Sequence, residues 1–103
     1  MTLQMINTLI EPAAKRGVTA MSGGWGYFTA NGDVILDVGA PWITPTTLVF
    51  ASIVEVDENN VPIMGDARMT VRNIEPYQGG IRTWATIDWG SPLRVRVSYS
   101  WSE

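Results

Sequence analysis

The chain contains no cysteine and no histidine. Without thiols it has no disulfide and no thiolate metal site, which excludes a secreted, disulfide-framed miniprotein. Without imidazole it lacks both the commonest general base and the commonest transition-metal ligand, so any metal chemistry would rest on oxygen donors. Lysine is nearly absent: Lys15 stands alone against Arg16, Arg68, Arg72, Arg82, Arg94 and Arg96, within a net charge of −3. A mildly acidic chain lacks the basic excess that supplies affinity for phosphate backbones, so nucleic acid is not an expected partner. No apolar run approaches the roughly 20 residues that cross a bilayer, and no membrane span is expected. Met1 to Ile10 lacks the basic start and small-residue cleavage site of a signal peptide. The expectation is synthesis and folding in a cytosol, with a later place on a virion surface or outside the cell after lysis left open.

What the chain does have is β-type text. At 103 residues it is expected to form one domain, burying roughly 65% of its unfolded surface. Residues 18–103 read as an all-β sandwich domain, preceded by an N-terminal arm or short helical segment over residues 1–17. In that first segment Leu3, Ile6 and Ile10 fit a helical stripe, while Leu3, Met5, Asn7 and Leu9 fit a strand. Pro12 to Arg16, followed by Gly17, would suit a single helical turn. Trp25 to Thr29 and Asp33 to Val38 flank Asn31-Gly32, a strong hairpin signal. Thr47 to Val56 is the longest β-branched run and is expected at the centre of a sheet. Ala67 to Ile74 resumes alternation, with Met69, Val71 and Asn73 on one face. Ile81 to Asp88 and Leu93 to Trp101 are expected to pair as a final hairpin, whose second strand separates Leu93, Val95, Val97, Tyr99 and Trp101 from Arg94, Arg96, Ser98 and Ser100. The arginine-bearing face is not core, since unpaired arginines rarely bury fully.

Catalytic constellations are missing. Asp57 and Glu58 are adjacent in a loop, so they point apart, and Gly23-Gly24-Trp25-Gly26 lacks the lysine and following helix of a phosphate loop. No base stands ready for a serine or threonine nucleophile, so the chain does not read as an enzyme and no cofactor is implied. Asp57, Glu58, Asn59 and Asn60 cluster oxygen donors that suit either calcium or a solvated turn. Five tryptophans, Trp25, Trp42, Trp84, Trp89 and Trp101, remain. Trp84 and Trp101 are expected in the core. Trp89 falls between the last two strands beside Asp88 and Gly90, where an exposed indole would offer an apolar plate with a polar edge to a sugar or a protein.

From Pro41 to Trp101 the text resembles the H-type lectins, the snail-agglutinin-like domain family. The matching residues are Pro41-Trp42 and Pro45, Leu48 to Ile53 with Asp57, Ala67-Arg68, Pro76 with Gly79 or Gly80, and Trp89 followed by Ser98-Tyr99-Ser100-Trp101. The resemblance implies a six-stranded antiparallel β-sandwich that assembles as a homotrimer. It also implies a non-catalytic recognition module binding a glycan or cell-surface ligand, in the manner of a phage fibre or spike. The implied ligand site takes Arg68 and Trp89, with Gly90 where the family has histidine, and an aspartate that is Asp33 or Asp88. The implied trimer interface takes Arg94, Arg96, Ser98 and Ser100, or the opposite face of that strand, with Glu55 and Asp57 as candidate acidic partners. The alternative expectation is a structural virion protein, a capsid decoration or tail component, that holds other virion proteins through residues 1–16.

Overall fold

A computed structural model describes residues 3–12 and 21–102, and these hold nine strands and no helix. They are β1 (Gln4–Leu9), β2 (Glu11–Pro12), β3 (Met21–Ala30), β4 (Gly32–Gly39), β5 (Val49–Val56), β6 (Pro62–Ile63), β7 (Arg68–Tyr77), β8 (Gly80–Asp88) and β9 (Leu93–Ser102). One sheet runs β1-β4-β8-β7 and the other β2-β3-β9-β5-β6. Their inner faces share one core of Phe28, Val34, Leu36, Val38, Ile81, Ala85, Ile87, Val95, Val97, Tyr99 and Trp101. The all-β, sandwich-like character matches the sequence reading.

The arm is strand rather than helix where it is described. β1 lies parallel to β4, from Gln4 opposite Val34 to Leu9 opposite Gly39, so the pairing is not antiparallel throughout. Ile10 then drops into the core, its N–H donating to the Gly39 carbonyl at 3.0 Å. Beyond it Glu11 and Pro12 pair with Trp25 and Gly24 in the other sheet. Residues 3–12 thus strap one sheet to the other, and they are not a free arm reaching for neighbours. The helical turn considered for Pro12 to Arg16 lies, beyond Pro12, outside the described residues.

Two expected hairpins are corners instead. β3 pairs with β9 and β4 with β8, so Asn31-Gly32 carries the chain between sheets. Gly32 adopts a φ of 74° there, a left-handed value that glycine reaches without a Cβ clash. The segment from Trp89 to Pro92 likewise joins β8 of one sheet to β9 of the other. The Asn31 amide ties these two corners together by donating to the Trp89 carbonyl at 3.0 Å. β5 is not central, since only the two-residue β6 separates it from the sheet edge. β7 carries a bulge between Val71 and Asn73, which turns Asn73 to the outer side and returns Ile74 to the inner side.

Candidate functional site

The site expected from the sequence lies at the paired corners. Arg68 opens β7 directly opposite Asp88, the last residue of β8, so their side chains stand together on the outer face. Among the described residues neither forms an ion pair, which leaves a guanidinium and a carboxylate side by side with their hydrogen-bonding capacity open. Trp89 follows with 44% of its surface exposed. Its backbone is pinned on both sides, the N–H donating to the Ile87 carbonyl at 2.9 Å and the carbonyl held by Asn31. Gly90 is exposed, and a Cβ there would meet nothing within 4 Å. Asp33 is one row further in. Its Oδ1 accepts from Thr86 Oγ1 at 2.6 Å and lies 3.9 Å from Arg72 Nη1, so its charge is engaged locally.

This corner is the end of a longer outer face. Along β8 the side chains alternate, with Ile81, Thr83, Ala85 and Ile87 buried and Arg82, Trp84 and Thr86 half-buried on the outer side. Trp84 is therefore not a core residue. It sits opposite Ile35 on one side and Asn73 on the other, with the Arg72 guanidinium 4.6 Å above its ring. One strand-spacing along, Arg82 is held by Glu75 at 3.1 Å and stacks on Tyr77 at 4.2 Å. Tyr77 reaches across Gly80, where a Cβ would come within 2.6 Å of its ring carbon Cζ, and its hydroxyl donates to Asp37 Oδ1 at 2.6 Å. Burial, and then the Asp37 hydrogen bond, push the Tyr77 phenol from its ordinary 10.0 up to about 12. Sequence reasoning missed Trp84, Tyr77 and Asp37. The signal was present, because Trp84 shares parity with Arg82 and Asp88, and charged side chains mark a solvent face.

The other sheet presents the residues expected at a trimer interface. Arg94, Arg96 and Ser98 line the outer face of β9, opposite Thr29, Tyr27 and Trp25 of β3. Arg94 donates to Asn60 Oδ1 at 2.9 Å and stacks 5.2 Å from Tyr27, and 55% of Phe50 is exposed on the same side. Glu55 is not with them. It sits opposite the core residue Val95 and lines an apolar groove with Ile53, Met64 and Met69, so it faces the other way. Asp57 is occupied as a turn cap, its Oδ1 accepting from the N–H groups of Asn59 and Val61 at 2.8 and 3.0 Å. Among the described residues no group of three or more acidic side chains could hold a metal ion.

No family model, no curated protein and no solved structure matches the chain.

Proposed function

We propose that the chain is a non-catalytic recognition module of H-type-lectin kind, which binds a glycan or another cell-surface ligand at the corner of Arg68, Asp88 and Trp89. The observation that carries this reading is the exposed Trp89, its backbone pinned at the corner, beside Arg68 and Asp88, neither of which forms an ion pair among the described residues. An indole face covers the C–H side of a sugar ring, while the charged pair offers directional hydrogen bonds to its hydroxyls. In this reading the long strands β3, β4, β5, β7, β8 and β9, whose pairings are all antiparallel, are the six-stranded lectin sandwich, and β1 and β2 are an addition. The outer face of β9 is the surface that copies share in a trimer. Gln4 to Leu9 and Glu11 to Pro12 pair within the chain's own sheets, so in the alternative, structural-virion reading attachment would use the outward side of this segment.

The test is a glycan screen on the purified chain, repeated with Trp89→Ala. Binding that falls by about tenfold or more in the variant supports the proposal, since alanine removes the stacking plate. Gly90→His places its Cβ in open space, and the added ring should strengthen the binding of a ligand lodged there. A screen without any hit, or hits that survive Trp89→Ala unchanged, would overturn the corner as the site. Sedimentation showing a monomer at micromolar concentration would remove the trimer.

A further inference from the structure

A second feature lies at the far end of the same outer face. Asn7, Thr8 and Leu9 of β1, Asp37 and Gly39 of β4, and Tyr77 of β7 line an open hollow of about 390 Å³. That volume falls within the roughly 300–1,000 Å³ typical of small-ligand sites. It lies six residues along β8 from Asp88, which at about 3.3 Å per residue separates it from the corner by roughly 20 Å.

The polar equipment is specific. Asp37 spends Oδ1 on the Tyr77 hydroxyl, and among the described residues its other oxygen makes no hydrogen bond. Tyr77 is immobilised by that bond and by the Arg82 guanidinium stacked at 4.2 Å. The carboxylate is therefore aimed rather than loose. Asn7, directly opposite Asp37 in the parallel ladder, adds an exposed amide that both donates and accepts. The walls are apolar and low. Leu9 leaves 77% of its surface exposed, and Gly39 has no side chain, since a Cβ there would lie 3.0 Å from the Leu9 Cδ2 methyl.

Charge narrows the ligand. Arg82, the cation next to the hollow, is already held by Glu75 at 3.1 Å. Asp37 forms no ion pair among the described residues, and Arg82, directly opposite it, is shared with Glu75, so two carboxylates face one guanidinium and an anionic group would meet a net negative charge. A lone carboxylate is also too few oxygens for calcium, which takes 6–8 ligands. A pair of neighbouring hydroxyls fits better, since each gives a charge-assisted O–H···O⁻ bond while the ring's C–H face lies on Leu9. We infer that the hollow bounded by Asn7, Leu9, Asp37, Gly39 and Tyr77 is a binding site for a neutral polyhydroxylated ring, a hexose unit, separate from the Trp89 corner.

The experiment is a backbone amide NMR titration of the full chain with methyl hexopyranosides, neutral gluco-, manno- and galacto-configured, at millimolar concentration, alongside the anionic sugar glucuronate. The expected result is saturable shifts at Asn7, Leu9, Asp37 and Gly39 for at least one neutral ring and none for glucuronate. Asp37→Asn keeps an acceptor for Tyr77 yet loses the charge, and should weaken that binding by about tenfold. Leu9→Ala, at an exposed position, should weaken it by a smaller factor with the fold intact. Trp89→Ala should leave these shifts unchanged, so failure of the corner and failure of the hollow are read separately. Absence of shifts with every neutral ring, a preference for glucuronate, or equal shifts in Asp37→Asn would overturn the assignment.

Discussion

Thr83 is fully buried with its hydroxyl beside that of Tyr99, and among the described residues neither hydroxyl completes a well-formed hydrogen bond. A buried hydroxyl without a partner forfeits its hydration, so the near-isosteric Thr83→Val should raise stability by about 1 kcal/mol in denaturant melts. A loss of stability would mean that the hydroxyl finds a partner in solution. Tyr77 and Tyr99 predict the alkaline limb. Burial raises both phenols, that of Tyr77 from 10.0 to about 12 and that of Tyr99 further. Above pH 10 the unfolded chain releases the Tyr77 proton while the folded chain keeps it, so stability present below pH 10 is lost as pH rises towards 12. Tyr77→Phe should remove its share of that limb and leave the share of Tyr99, and Asp37→Asn should remove less, as measured by the urea midpoint between those two pH values.

At the scale of elements, one tight seam is β2 against β3. A Cβ on Gly24 would lie 2.8 Å from the Glu11 carbonyl and 3.0 Å from Ile10 Cγ1, so the strap closes only because that position is bare. Gly24→Ala should cost about 1–3 kcal/mol by overpacking and release Ile10, seen as a lower melting temperature and faster amide exchange at Ile10. Gly90→Ala, where nothing lies within 4 Å, is the matched control and should be neutral. The strands themselves were legible because alternation is local: β9 shows buried Val95, Val97, Tyr99 and Trp101 where the spacing put them. Pairing was not legible. Asn31-Gly32 and the Trp89 to Pro92 segment carry turn chemistry that serves a hairpin and a corner equally, and the choice is made by distant partners, β9 for β3 and β8 for β4. The β7 bulge shifted Asn73 for the same reason, since an extra residue changes the face of everything after it. At the corner, Arg68, Asp88 and Trp89 were findable from motif order, whereas the Asp37 hollow needs β1 laid parallel on β4, which no local pattern announces.

On the scale of the whole molecule, the first dozen residues decide whether the sandwich closes. β1 covers the edge of β4 from Val34 to Gly39, Ile6 packs against the core, and Ile10 is buried within it. Fully burying an isoleucine side chain is worth about 1.5–3 kcal/mol, so losing buried Ile10 and partly buried Ile6 should cost about 2–5 kcal/mol, a large share of a small domain's stability. A chain lacking residues 1–12 would also bare the backbone of Val34 to Gly39 as an unpaired edge, a template for aggregation. It should therefore melt well below the full chain and precipitate on concentration, as followed by thermal melts and light scattering. An unchanged melting temperature and a soluble truncated chain would show that the strap is dispensable. The same cut takes Asn7 and Leu9 from the hollow but nothing from Arg68, Asp88 or Trp89. A folded fraction of the truncated chain should accordingly keep whatever binds at the corner and lose the neutral ring at Asp37, which ties the parallel strand to function as well as to closure.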